Sequence, residues 1–147
     1  MKRILLLHGP NLNQLGQRNP ELYGSLTLNT IVDLVNATIA GQQYQVLAFQ
    51  SNHEGALIDF IQEHHNDADG IIINPGALTH YSYALHDALV DAQLPTVEVH
   101  LSDIYQREEW RRHSVIAPAC IAQISGKKEQ GYVEAARVLL QQMITNV

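Results

Sequence analysis

Apolar residues fall along this chain in two alternating rhythms. Short unbroken runs such as Ile4-Leu5-Leu6-Leu7 and Ile71-Ile72-Ile73 have the pattern of strands buried on both faces. Between them, apolar residues recur every three or four positions, as helices require. The first strand is predicted over Arg3 to His8. A helix follows from an N-cap at Thr27, with Ile31, Leu34, Val35 and Ile39 on one stripe and Gly41 as its stop. Tyr44 to Ser51 forms a second strand and Glu54 to His65 a second helix with Leu57, Ile58 and Ile61 inward. After a turn over residues 66–70, Ile71 to Ile73 makes a third strand, closed by Asn74-Pro75-Gly76. A third helix spans Tyr81 to Ala92, and a fourth strand Thr96 to His100. Ser102 is expected to cap a short helical segment reaching Arg112, broken by Pro118. Cys120 to Ser125 is the fifth strand and Glu129 to Thr145 the last helix.

Strands that alternate with helices on this scale imply a parallel sheet covered on both faces. With right-handed crossovers, five strands favour a flavodoxin-like three-layer α/β fold of order 2-1-3-4-5. No repeat, linker or low-complexity segment interrupts the pattern, so residues 1–147 are expected to form one domain.

That order directs attention to the carboxyl ends of the strands, where such sheets bind ligands. The exits are polar: His8-Gly9-Pro10-Asn11, Ser51-Asn52-His53-Glu54, Asn74-Pro75-Gly76 with His80 beyond, and Glu98-Val99-His100-Leu101-Ser102. From the first exit rises Gly9 to Ser25, long for a connection in such a unit, with three glycines and two prolines that argue against a helix. It carries Asn11, Asn13, Arg18 and Tyr23, and reads as a lid over a site. Glu98 and His100 lie two apart in a strand and share a face, so the carboxylate orients the imidazole and favours its charged form. Each of these residues also has an ordinary structural use. Asn11 and Asn74 serve as turn formers, His80 as a cap and His100 as a hydrogen-bonded strand end. Arg107, Glu108, Glu109, Arg111 and Arg112 have the look of a solvated helical face, although Arg107 and Arg111 are one turn apart on it.

Composition narrows the chemistry. The formal net charge is −6 with nine scattered Lys and Arg, which disfavours a nucleic-acid groove or an anionic membrane surface. One cysteine, Cys120, rules out a disulfide framework and suits a reducing compartment. With no run long enough for a signal peptide or a membrane span, a cytoplasmic protein is expected. The eight histidines show no zinc-like spacing, and no lysine sits in an apolar context, so neither a metal site nor a Schiff base is expected. On the residues alone, the crevice also suits an enzyme of another polar carbocyclic or phosphorylated substrate, or a non-catalytic binding protein.

The stretches GPNLNQLGQRNPELYG, QSNHEGALID, GIIINPGALTHYSYALHDAL, VEVHLS and REEWRRHS occur in order along nearly the whole chain. Together they resemble the type II 3-dehydroquinate dehydratases. The resemblance implies dehydration of 3-dehydroquinate to 3-dehydroshikimate, by trans elimination through an enolate and without a cofactor, in the shikimate pathway or in quinate breakdown. It implies Tyr23 as base, Arg18 as its activator, His100 as general acid, and Asn11 and Asn74 as positioning groups. His80, Leu101, Ser102 and Arg111 match substrate contacts. Asp87 matches a contact supplied by a neighbouring subunit in a dodecamer of trimers. Asp103 stands where the family commonly has Asn, and His86 where Arg often precedes the aspartate. These two departures bear on affinity and subunit contact rather than on proton transfer.

Overall fold

A computed structural model describes residues 2–23 and 25–145; Gly24 of the predicted lid lies outside the described residues. Five parallel strands form one sheet of order β2-β1-β3-β4-β5: β1 (Lys2–His8), β2 (Tyr44–Gln50), β3 (Gly70–Asn74), β4 (Thr96–His100) and β5 (Ala122–Ser125). The helices are α1 (Pro20–Tyr23), α2 (Leu28–Ile39), α3 (Glu54–His64), α4 (Tyr83–Ala92) and α5 (Gln130–Thr145). This is the flavodoxin-like three-layer fold expected from the alternation of elements.

Strand periodicity decides which helices go where. Along β1, Ile4 and Leu6 point to one face and join Ile72, Val97 and Val99 beneath α2 and α5. Leu5 and Leu7 point the other way and pack with Ile71 and Ile73 under α3 and α4. β1 and β3 therefore read as unbroken apolar runs because both of their faces are core. The same alternation sends His8 and Asn74 to the α5 side, and Glu98 and His100 to the opposite side.

At the switch point, the loops leaving β1 and β3 cross backbone against backbone. A Cβ on Gly9 would stand 2.2 Å from the Pro75 carbonyl oxygen. Across the crossing, Gly76 has φ +61, and a Cβ on it would stand 2.9 Å from the Pro10 carbonyl oxygen. Gly9 N–H donates to Asn74 O at 2.8 Å, which ties the two exits together.

Local signals account for most boundaries. The Thr27 hydroxyl accepts from Thr30 N–H at 3.3 Å as the predicted N-cap of α2. Ser82 caps α4 in the same way, accepting from Leu85 N–H at 3.1 Å, so that helix starts later than Tyr81. The segment after β4 differs from expectation. Asp103 rather than Ser102 is the cap, accepting from Tyr105 N–H at 3.0 Å, and two short 3-10 turns, Ile104–Gln106 and Glu109–Arg112, replace one helical stretch. Pro118 sits inside a third such turn, Ala117–Ala119, where its missing N–H costs nothing, and β5 begins only at Ala122.

The lid also holds more structure than its glycines suggested. Asn19-Pro20-Glu21 is a helix start: Asn19 Oδ1 accepts from Glu21 N–H at 3.0 Å, proline stands at the first helical position and an acid in the first turn. The single turn of α1 ends on Tyr23. No helix among the described residues is long and apolar enough to cross a membrane.

Candidate active site

One pocket opens at the carboxyl ends of β1, β3 and β4, and the lid forms its outer wall. It is lined by Asn11, Arg18 and Tyr23 from the first loop, by Asn74 and His80 from the third exit, and by His100, Leu101, Ser102, Arg107 and Arg111 from the fourth. Most of the residues singled out from sequence thus meet in one place. Two do not line it. Glu98 is fully buried directly behind His100, and Asp87 lies outside on α4, exposed and 2.9 Å from His86 Nδ1.

The lid is fastened at both ends. Asn11 takes a left-handed backbone, φ 72, one of few positions where a non-glycine residue does so, and asparagine tolerates it best. Its N–H donates to Asn52 Oδ1 at 2.9 Å, and Gln50 Nε2 bridges that same oxygen at 3.1 Å and the Gly9 carbonyl at 3.2 Å. At the far end the Lys128 ammonium donates to the Glu21 carbonyl.

Tyr23 stands between two guanidinium groups. Arg18 lies over its ring, Cζ 3.8 Å from the centroid. Arg107 reaches its oxygen, Nη1 donating to Tyr23 Oη at 2.9 Å and to Ser102 Oγ at 3.3 Å. The charge at the phenol oxygen is thus Arg107's, while Arg18 stacks on the ring. Sequence reasoning left Arg107 in a charge run. Its only signal was the spacing to Arg111, and the two 3-10 turns bring both arginines to the pocket by a different route.

Glu98 and His100 share a strand face as expected, with His100 Nε2 2.5 Å from Glu98 Oε2. Burial alone would raise the Glu98 carboxyl. The bond and charge of His100 outweigh it, with help from Gln123 Nε2 at 2.8 Å and Ser114 Oγ at 2.8 Å, and hold the group below the ordinary carboxylate range. Glu98 is therefore an anion whose hydrogen bonds aim the imidazole. Ser114 and Gln123 carried no signal in the sequence, since both act across elements.

His80 Nδ1 lies 2.7 Å from the His113 carbonyl, and its ring meets Trp110 edge-on. The carbonyl can only accept, so Nδ1 carries the proton and Nε2 is left as an acceptor. Burial lowers its pKa. The carbonyl bond opposes this, and the charges of His100 and Arg111 add to the lowering. Arg111 is held by Glu108 Oε2 at 2.6 Å and lies over Trp110, Cζ 4.0 Å from the ring centroid. Leu101 and Ser102 continue directly from β4, their carbonyls engaged by Lys128 and Gly126 N–H at 3.1 Å each.

The arrangement can take a proton at one wall and give one at another. A phenol with two cations faces a hydrogen-bonded imidazole across a small polar cavity. Among the described residues no three His, Cys, Asp or Glu side chains converge on a point where a metal could sit.

Comparison with known proteins gives the chain a family. The family model described as Dehydroquinase class II matches residues 2–140. A 3-dehydroquinate dehydratase of Roseiflexus castenholzii is 55% identical over 138 residues, covering 94% of this chain and 88% of that one. That of Caldicellulosiruptor saccharolyticus is 51% identical over 140 residues, covering 95% and 97%. Among solved structures, a type II dehydroquinase from Butyrivibrio crossotus superposes with a TM-score of 0.89 at 46% identity, over 94% of this chain and 97% of that one. One from Propionibacterium acnes gives 0.89 at 35%, over 96% and 97%.

Proposed function

The chain belongs to the class II dehydroquinases, a family of hydro-lyases, and from that premise we propose how its pocket dehydrates 3-dehydroquinate to 3-dehydroshikimate. Tyr23, as phenolate, removes a proton alpha to the ketone. The enolate that forms expels the hydroxyl two carbons away, and His100 protonates that hydroxyl as it leaves. Proton and leaving group depart from opposite sides of the ring, as trans elimination requires.

The observation that carries this reading is the pair of arginines on Tyr23. A free tyrosine ionises near pH ~10, so only about one in a thousand is phenolate at pH 7, a penalty of roughly 4 kcal/mol at ~1.4 per unit. A guanidinium at the oxygen and another over the ring face the negative charge that the base must carry, in a site that water leaves when the lid closes. Arg18 and Tyr23 arrive together on the lid, so closure assembles the base with part of its environment. Asn11 and its neighbouring backbone hold the developing enolate oxygen. Asn74, His80 and Arg111 bind the polar ring substituents, and the substrate carboxylate rests against the backbone of Leu101 and Ser102. The anionic Glu98 orients the His100 ring that donates the proton.

Every step uses groups of the chain itself, so no cofactor is assigned. Asp87, exposed on α4, is assigned to the site of a neighbouring subunit in a dodecamer built from trimers. The shikimate pathway and quinate breakdown both supply this substrate. Incubating the purified protein with 3-dehydroquinate and following the conjugated enone tests the reading. Rapid absorbance growth is expected, and binding without turnover would leave a ligand-binding protein instead.

A further inference from the structure

Under the pocket floor, His8 and Asn74 are register partners at the ends of neighbouring strands, and both turn toward α5. There they meet one hydroxyl. Tyr132 is fully buried, with Asn74 Nδ2 3.1 Å and His8 Nε2 3.0 Å from its oxygen. The proposed chemistry uses Asn74 but has no part for Tyr132 or His8. A phenylalanine would fill the same volume, so the hydroxyl has these two partners as its purpose.

Donors and acceptors fix the direction of every bond. Gly76 N–H can only donate, so Asn74 Oδ1 is its acceptor at 3.1 Å. The amide nitrogen therefore faces Tyr132 and donates to it. Burial keeps the His8 ring neutral, lowering its pKa to about 3. The Tyr132 oxygen, already an acceptor, finds an acceptor for its own proton in His8 Nε2 when that neutral ring carries its proton on Nδ1. The chain Asn74 to Tyr132 to His8 thus runs one way only, and one N–H of the Asn74 amide remains for the pocket that Asn74 lines.

We infer that Tyr132, backed by His8, is a positioning residue for the dehydration, its hydroxyl locking the Asn74 amide so that an N–H rather than the oxygen is offered to substrate. The inference rests on the reading of Asn74 as a substrate contact. Without the hydroxyl, nothing opposes rotation of the amide nitrogen, and a flipped amide presents an acceptor where a donor is needed.

A double-mutant cycle tests it, because positioning through Asn74 is lost once Asn74 is gone, whereas a general packing defect is not. Tyr132→Phe is expected to keep its fold by thermal melting and to lower kcat/KM about tenfold, the worth of one hydrogen bond to a buried polar group. In an Asn74→Ala background the same substitution should change kcat/KM less than about twofold. Equal losses in both backgrounds, or a silent Tyr132→Phe beside an impaired Asn74→Ala, would overturn the inference alone. Wild-type kinetics in Asn74→Ala would instead remove the assigned role of Asn74, and this inference with it. If Tyr132→Phe does not fold, His8→Leu strands the Tyr132 proton and runs the same cycle, coupling to Asn74 supporting the inference and additivity overturning it.

Discussion

Arg107 Nη1 lies 2.9 Å from Tyr23 Oη, although 84 positions separate the two residues in the chain. The contact joins the lid to the loop after β4, so the proposed base has both arginines only when those two segments meet. Tyr23→Phe keeps the ring that Arg18 covers but removes the group proposed to take the proton. It is expected to lower kcat by about 10²–10⁴ with little change in substrate binding. Near wild-type turnover in a steady-state assay would defeat the assignment of the base.

The two arginines have separable effects. Arg107→Ala takes a charged donor from the phenol oxygen and should lower kcat by about 10²–10³. Arg18→Ala removes a cation from the ring face, and its loss in kcat should be smaller. A larger loss for Arg18→Ala than for Arg107→Ala in a steady-state assay would mean that closure in solution exchanges the two contacts.

In the proposed mechanism Glu98 serves the second half of the reaction. Glu98→Gln keeps the volume and removes the negative charge facing His100 Nε2. Dehydration should slow by about 10–100-fold as the imidazole loses the partner that aims it. Exchange of the substrate alpha proton with solvent deuterium, followed by NMR, should fall much less, because it precedes that step. Parallel loss of exchange and dehydration would merge the two steps into one.

The sheet order and the strand exits were legible in the residues because they rest on local signals: unbroken apolar runs, caps and turn glycines. Glu98 and His100 were legible for the same reason, since strand alternation puts residues two apart on one face. Arg107, Ser114, Gln123 and Tyr132 were not, because each reaches its partner across elements, and a charge run or a helical tyrosine looks alike whichever way it points. The short helix α1 shows a local signal misweighed. Asn19-Pro20-Glu21 spells a helix start, and the surrounding glycines were allowed to outvote it. Ser102 as a cap failed more simply, since Asp103 beside it is an equally good acceptor and was better aimed.

Gly9 tests the crossing at the switch point. Any Cβ there meets a backbone carbonyl, which cannot swing aside as a side chain can. Gly9→Ala should cost about 1–3 kcal/mol or more by overpacking. It should also reduce activity, because the same crossing seats Asn11 and Asn74. Gly41, with open space around it and φ +84, is the control. Gly41→Ala should lower stability by about 1 kcal/mol and leave kinetics alone. Urea midpoints with unchanged slope, read beside kcat/KM, separate the two.

His8 makes stability depend on pH in a direction set by its burial. Unfolded, it takes up a proton as pH falls through its usual 6.5; folded, it stays neutral down to about 3. Between those values the unfolded chain binds the extra proton, so folding weakens as pH drops, by up to ~1.4 kcal/mol per unit. His8→Leu cannot titrate, so the stability of the wild type relative to that variant should decline steadily between pH 6.5 and 4.5. Urea unfolding of both proteins across that range measures it. A constant difference would mean that the His8 ring takes up a proton at Nε2 in the folded state, through an opening of the Tyr132 contact. The direction of the hydrogen-bond chain that orients Asn74 would then no longer follow.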